Sequence, residues 1–133
     1  MAIKYSTPVR NAKLDAIETA IGASAILKIR SGAAPANCAA ADSGTVLATL
    51  NLPADWMGAA AAGVKSLLGT WQDLAADASG TAGYFRIYAS DGVTCHIQGT
   101  VGVSAADMIV DSVSFTAGQS FSITSFAITD GNG

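Results

Sequence analysis

The sequence has few charges of either sign. Only 13% of its 133 residues are Asp, Glu, Lys or Arg, against roughly 25% in typical soluble domains. Seven basic and ten acidic residues give a net charge of −3, and the basic residues form no cluster. Because nucleic-acid binding depends on a concentrated basic patch that neutralises phosphates, we expect no binding to DNA or RNA.

Long apolar runs are also missing. The longest bland stretch, Gly58–Gly63, is too short and too small for the roughly 18 apolar residues that a membrane span needs. The first residues carry no apolar segment of the kind found in signal peptides. We therefore expect a protein without a membrane partner that is made and kept in a cytoplasm.

Residues that commonly carry chemistry are scarce. The chain has one histidine, His96, and one glutamate, Glu18, and it contains no phosphate-loop, dinucleotide or nucleophile-elbow motif. Cys95 and His96 are adjacent on a predicted strand, so they point to opposite faces and cannot form a nucleophile and base pair. The nine aspartates are scattered. We predict no catalytic, cofactor or metal site, and no enzyme activity.

Two cysteines are too few for a disulfide framework. Alternation predicts Cys95 on the apolar side of its strand, where a free thiol behaves as a small hydrophobic group. Cys38 lies in a predicted loop. Whether the two cysteines pair is left open by the sequence.

The N-terminal part of the sequence predicts an extended arm and one helix. Residues 1–6 are predicted to be extended, and Thr7-Pro8 reads as a helix cap followed by proline at the first helical position. Apolar residues recur on one face from Val9 to Ile21, and Gly22 is a fitting end. An amphipathic helix over residues 7–22 is expected.

The remainder of the sequence predicts short strands separated by turns. Ser90-Asp91-Gly92 is a strong hairpin signal, and a shift of the apolar phase predicts a β-bulge at Thr124-Ser125. Residues 53–78 are hard to interpret, with one weak strand around Val64–Thr70. The predicted strands are Ser24–Arg30, Thr45–Leu52, Gly83–Ala89, Val93–Val101, Asp107–Thr116 and Ser120–Thr129.

These elements predict a mainly β fold: a β-sandwich or jelly-roll-like barrel of about six to eight antiparallel strands with one N-terminal helix. We expect a single domain over residues 1–133. Its β-sandwich would span residues 23–130, and residues 131–133 would form a frayed tail.

The aromatic residues are the main candidates for binding. Alternation places Tyr84 and Tyr88 on one strand face with Arg86 between them, where they would either bind sugars or cover a neighbouring strand or subunit. The tryptophans fall in the segment that is hard to interpret. The candidate interface residues are Ile3, Tyr5, Val9, Trp56, Met57, Trp71, Tyr84 and Tyr88.

The low charge favours association with other subunits. Small, weakly hydrated side chains dominate the predicted loops Ala33–Ala41 and Ala54–Gly63, and such surfaces cost little to desolvate. An ordinary domain with a neutral surface is the alternative. Self-association as a dimer or trimer is the favoured expectation, because symmetric repetition multiplies weak contacts.

Several segments together resemble a family of small virion structural proteins of tailed bacteriophages. Each segment alone is a common strand or turn sequence. The resemblance rests on the order and spacing of the segments, which cover most of the chain outside residues 53–77. The segments are Val9–Ile17, Arg30–Gly32 with Pro35-Ala36, Gly44–Leu50, Ala78–Arg86, Ser90–Gly92 and Ile123–Thr129.

The resemblance implies a virion protein that is assembled in the host cytoplasm. Its nearest functional class is the capsid decoration or cement proteins, whose partner would be the major capsid protein or other virion proteins. A tail or fibre-associated component and a carbohydrate-binding β-sandwich module are the alternatives. No catalytic or ligand-binding residue is carried over.

Overall fold

A computed structural model describes residues 3–130. The predicted tail at residues 131–133 and the first two residues of the arm lie outside that range. The structure has one helix, α1 (Thr7–Ile21), and nine strands: β1 (Ile26–Ser31), β2 (Val46–Asn51), β3 (Val64–Ser66), β4 (Gln72–Asp73), β5 (Gly80–Tyr88), β6 (Cys95–Gly102), β7 (Met108–Val110), β8 (Ser114–Phe115) and β9 (Phe121–Thr129).

The N-cap of the helix lies one residue earlier than the sequence predicts, and the helix starts at Thr7 as expected. Ser6, and not Thr7, is the N-cap, and its Oγ accepts a hydrogen bond from the backbone N–H of Val9 at 3.4 Å. Thr7 and Pro8 are therefore both inside the first turn, where the missing N–H of proline is not needed. Gly22 ends the helix with a positive φ of 94°, as predicted.

The strands form one curled, mixed sheet shaped as a half-barrel, which confirms a mainly β fold with one helix. The strand order is β2-β1-β5-β6-β7-β9-β3, with β4 paired to β9 and β8 paired to β5. All pairs are antiparallel except β6 with β7, which run parallel. That parallel pair departs from the all-antiparallel expectation, since a short loop returns the chain beside β6 in the same direction.

Four register irregularities interrupt the pairing of the described strands, and two of them change which side chains of β6 and β9 share a face. Ile109 pairs with Ser125 and Val110 pairs with Ile123, so Thr124 is the extra residue. This confirms the predicted bulge beside Ser125. A second irregularity separates Ile87 from Tyr88 in their pairing with β6, and it was not predicted.

The segment between residues 53 and 78 supplies much of the core. It contains the short strands β3 and β4, and an isolated bridge joins Met57 to Leu67. Trp56 and Trp71 are fully buried and contact each other with ring centroids 6.0 Å apart. Burial of these two large side chains stabilises a segment that has little regular secondary structure.

Lys65 attaches the helix to the sheet. Its side chain is only 2% exposed, and its Nζ lies 2.8 Å from Asp15 Oδ1 and 3.0 Å from Glu18 Oε1 on α1. Burial by itself would lower the pKa of Lys65, but the hydrogen bonds to the two carboxylates raise it above its ordinary value. The lysine therefore stays charged and holds the helix over β3.

Candidate functional site

The eight candidate interface residues separate into two groups. Ile3, Tyr5 and Val9 are exposed by 74%, 37% and 43%, and they lie at the N-terminal end of the chain. The other five are buried, so their assignment to an accessible interface is wrong. The buried residues are Trp56, Met57, Trp71, Tyr84 and Tyr88.

The tryptophans belong to an aromatic row inside the core. Trp71 contacts Phe126 at 5.6 Å between centroids, and Phe126 meets Phe85 edge-to-face at 5.5 Å. The indole N–H of Trp56 donates to the carbonyl of Gly22 at 3.0 Å. With its polar atom bonded internally, Trp56 stabilises the core and leaves no ring face for a ligand.

Tyr84, Arg86 and Tyr88 share one strand face, as predicted, but a loop covers it. This cover loop, residues 32–45, crosses the outer face of β1, β5 and β6. The Tyr84 hydroxyl donates to the carbonyl of Ser43, and the Tyr88 hydroxyl donates to Asp42 Oδ1 at 2.8 Å. The strand alternates as expected, yet both of its faces are buried, and the proposed sugar-binding surface is lost.

An ion-pair network holds the cover loop in place. Arg86 is 2% exposed, and its Nη1 lies 2.6 Å from Asp42 Oδ1. The same guanidinium donates to the carbonyls of Asn37 and Ala40 in the loop. Arg30 Nη2 reaches the other Asp42 oxygen at 3.0 Å. Two arginines of the sheet therefore share one carboxylate of the loop.

The pKa values in this network follow from burial opposed by pairing. Burial would raise the pKa of Asp42, but the hydrogen bond from Tyr88 and the neighbouring Arg86 and Arg30 hold it below its ordinary value. For Tyr88, burial and the hydrogen bond to Asp42 both act upward and raise the pKa to about 12. At neutral pH the aspartate is ionised and the tyrosine is a proton donor.

Cys38 of the cover loop contacts Cys95 of β6. Cys95 was predicted on the apolar side of its strand, and that prediction is wrong. The irregularity opposite Ile87 and Tyr88 pairs Cys95 with Tyr88 and so puts it on the outer face. Its Sγ lies 2.8 Å from Cys38 Sγ, and both thiols are free. Burial, followed by the hydrogen bond to Cys38, raises the pKa of Cys95 to about 12.

A cavity of about 490 Å³ opens between β6 and β9. Five apolar residues line its floor, and His96, Gln98 and Asp107 lie along β6 and the start of β7. Cys38 and Cys95 are not among the lining residues. The Asp107 carboxylate accepts hydrogen bonds from the backbone N–H and the hydroxyl of Thr100 at 2.9 Å and 3.1 Å. The floor residues are Ile17, Phe85, Ile97, Phe126 and Ile128.

Within residues 3–130, no group of three or more His, Cys, Asp or Glu side chains is placed to hold a metal ion. Over the same range, no helix has both the length and the apolar character that crossing a bilayer requires.

No family model, curated protein or solved structure matches this chain.

Sequence reasoning missed the cover loop, the buried lysine and the cavity. Alternation identifies two faces of β5 but does not show that a loop of small residues packs on the second one. The available signal was Arg86 between two tyrosines. Large aromatic neighbours indicate burial, and an arginine is almost never fully buried unless it is paired with an acidic partner. The cavity arises because β7 is shorter than its neighbours β6 and β9. The sequence does not show which strands are neighbours, so it does not show the cavity.

Proposed function

We propose that this protein is a structural component of a tailed-bacteriophage virion, and that it acts as a capsid decoration protein on the lattice of the major capsid protein. The proposal is supported by the resemblance in segment order and by the low charge of the chain. The observation that carries it is the described part of the N-terminal arm, residues 3–6, together with the start of α1.

The arm presents apolar side chains that the rest of the structure does not cover. Ile3 is exposed by 74%, and Tyr5 and Val9 are also exposed. Tyr5 makes one described side-chain contact, in which Lys13 Nζ lies 4.2 Å from its ring centroid. Exposed apolar and aromatic side chains of this kind gain free energy when a partner removes them from water.

Ion pairs connect the helix, the strands and the cover loop. Lys65 pairs with the helix, Lys13 pairs with Asp130 at 2.6 Å, and the cover loop is tied to Arg86. Because these contacts already order the elements, binding through the arm would cost little additional conformational entropy outside the arm itself.

A decoration protein stabilises a shell by mass action. It binds the assembled lattice and not the separated subunits, so each bound copy lowers the free energy of the assembled state. Weak contacts repeated over many equivalent sites then produce a large total effect. A surface with few charges suits this role, since little polar hydration is lost on contact.

The copy number of the protein in purified virions tests the proposal. Quantitative mass spectrometry should find it at a level comparable to that of the major capsid protein. A few copies per particle would instead assign it to the tail or fibre. Absence from the particles would remove the proposal altogether.

Shell binding by arm variants tests the part that the arm plays. Shells lacking this protein would be mixed with wild type or with an Ile3→Asp, Tyr5→Asp double variant, and bound protein would be measured after sedimentation. We expect the double variant to bind at least tenfold more weakly. Leu74→Asp is the matched control, since Leu74 is exposed by 72%, close to the 74% of Ile3, and follows β4 instead of belonging to the arm.

A further inference from the structure

The cavity between β6 and β9 has the width of one missing strand. The three-residue strand β7 hydrogen-bonds to β6 on one side and to β9 on the other. Beside β7, the strands β6 and β9 are therefore two strand spacings apart, or roughly 9.6 Å. Beyond Asp107 no strand within residues 3–130 continues this position. We call the opening the β6–β9 slot.

Backbone hydrogen-bonding groups of β6 face into the slot. The N–H of Thr100 points away from β5, because it donates to the side chain of Asp107. Successive residues of a strand alternate in direction, so the N–H and C=O of Gln98 point the same way. Gln98 pairs with Arg86 of β5 only, and no strand of the described chain pairs with its outer edge.

Backbone groups of β9 face into the slot from the other side. The carbonyl of Phe126 accepts from Leu67, and the N–H of Asp130 donates to Gly63, so both residues point toward β3. By alternation, the N–H and C=O of Ala127 and Thr129 point toward β6. An extended peptide in the slot would therefore find backbone partners on both of its edges.

We propose that the slot receives the N-terminal arm of a second copy of this chain, which inserts as a short strand between β6 and β9. The proposal rests on the assignment of the arm to assembly made above. It makes a second copy of this chain the partner of the arm, so that arm variants would bind shells more weakly through lost avidity. The slot is then a β-strand addition site in which backbone hydrogen bonds bind the arm and the apolar floor recognises its side chains.

The arm matches the slot in its side-chain pattern. Ile3 and Tyr5 alternate with Lys4 and Ser6, so an extended arm presents Ile3 and Tyr5 on one face and polar side chains on the other. The five residues on the floor of the slot are all apolar. Lys4 would then project outward, away from the floor.

The position of the arm favours a second copy over its own chain. Ser6 is committed to capping the helix, and the first turns of α1 lie at the end of β9, where Arg10 and Lys13 contact Asp130. The arm of the same chain nevertheless lies outside the slot, because Ile3 is 74% exposed and neither Ile3 nor Tyr5 lines the slot.

Self-association of full-length variants tests the inference by complementation. The arm variant is Ile3→Asp with Tyr5→Asp, and the slot variant is Ala127→Pro, which removes a donor facing the slot and not one facing β3. Light scattering coupled to gel filtration would be measured for each variant alone and for an equimolar mixture. Thr129→Pro is the second slot variant, for use if Ala127→Pro does not fold.

We expect wild type to associate, each variant alone to be monomeric, and the mixture to form a one-to-one dimer, since one intact arm and one intact slot remain. In wild type, the amides of Gln98, Ala127 and Thr129 should exchange with deuterium at least tenfold more slowly than in the arm variant. Leu74→Asp should associate like wild type.

Three results would overturn the inference. The first is a monomeric wild type whose slot amides are protected, which would mean that the arm folds back onto its own chain. The second is a monomeric wild type with unprotected slot amides, which would leave the slot to another partner. The third is an oligomer that the arm and slot variants leave intact.

Particle composition tests the decoration role, whereas complementation tests the slot as the receptor of the arm. Particles rich in the protein, combined with failed complementation, would retain the decoration role and remove the slot as the receptor of the arm. Successful complementation, combined with absence from particles, would retain the slot and remove the virion role.

Discussion

Asp42 is the residue on which the position of the cover loop depends. It is the only carboxylate that the structure places against both Arg86 and Arg30, within the described residues. Its side chain remains 34% exposed, so water screens part of the attraction. Arg86, in contrast, is almost completely buried, and its charge requires a partner.

Replacing Asp42 with Asn should destabilise the protein by about 2 kcal/mol at pH 7, because Arg86 would be left buried without a countercharge. The pKa of Asp42 is lowered by folding. Its contribution is therefore present above its ordinary pKa and is lost as pH falls through the lowered value. Urea unfolding of both proteins at pH 7 and at pH 3 measures this.

Other carboxylates with lowered pKa values, such as Asp15 and Glu18, titrate equally in wild type and in Asp42→Asn. The difference between the two proteins therefore isolates Asp42. If the difference in the free energy of unfolding between the two proteins stayed constant down to about pH 2, the ion-pair explanation would be wrong.

Cys38 and Cys95 should form a disulfide when oxidised glutathione is supplied. The two thiols would lose two protons and two electrons as the Sγ–Sγ bond forms, and oxidised glutathione would be reduced to two glutathione molecules. The reaction should be slow at neutral pH, since the Cys95 pKa of about 12 leaves little thiolate there. Intact mass, which falls by two hydrogens, and free-thiol titration measure it.

The bridge would close a long loop and should raise the free energy of unfolding by about 3 kcal/mol. Cys38→Ser is the control and should show no change in stability with the oxidant. Mixed glutathione adducts without the internal bridge would show that the loop does not hold the thiols together.

At the scale of elements, the cover loop and β5 approach each other through a glycine. A Cβ at Gly83 would lie 1.8 Å from the backbone oxygen of Gly32, so no other residue fits without moving the chain. Gly83→Ala should therefore destabilise the protein by about 2–3 kcal/mol, as overpacking does. Thermal and urea unfolding measure the loss.

Gly58→Ala is the matched control, because its Cβ would meet only the Ser66 oxygen at 3.7 Å, an ordinary contact. We expect a change below about 0.5 kcal/mol there. Equal effects at Gly58 and Gly83 would show that close packing of the loop on β5 does not matter for stability.

The junction between α1 and β3 depends on Lys65. Lys65→Ala should cost about 3 kcal/mol, because it removes a buried cation and leaves Asp15 and Glu18 close together without a positive charge. Lys65→Met, which keeps most of the side-chain volume, should cost less. If the alanine and methionine variants were equally unstable, charge pairing and not packing would explain the whole effect.

At the scale of the whole molecule, one hydrophobic core runs from the end of α1 to β9. Ile21, Leu50, Trp71 and Phe126 all belong to the same cluster. We expect a single cooperative unfolding transition, with tryptophan fluorescence and far-ultraviolet circular dichroism giving the same midpoint. Two separate midpoints would show that the helix or the cover loop unfolds independently.

The arm variants should leave this transition unchanged within about 0.5 kcal/mol when measured on monomers. Neither Ile3 nor Tyr5 belongs to the core cluster. Stability therefore depends on the core and assembly on the arm, so a loss of association in the arm variants would not be caused by unfolding.

Local patterns were sufficient to predict most elements. The helix, its end at Gly22, the hairpin at Asp91-Gly92 and the bulge at Thr124 depend on neighbouring residues in the chain, and the structure shows each of them. The carboxylate of Asp91 accepts from the backbone N–H groups of Val93 and Thr94 at 2.8 Å and 2.9 Å, which is a contact within four residues.

The sequence by itself determined the β-rich class and the single helix, because those features follow from spacing, turn chemistry and capping. Only the tertiary structure decided that Tyr84 and Tyr88 are covered, that Cys95 meets Cys38, and that β7 is too short to fill the position between β6 and β9. Each of these depends on residues far apart in the chain, and alternation carries no information on which distant segment packs against a given face.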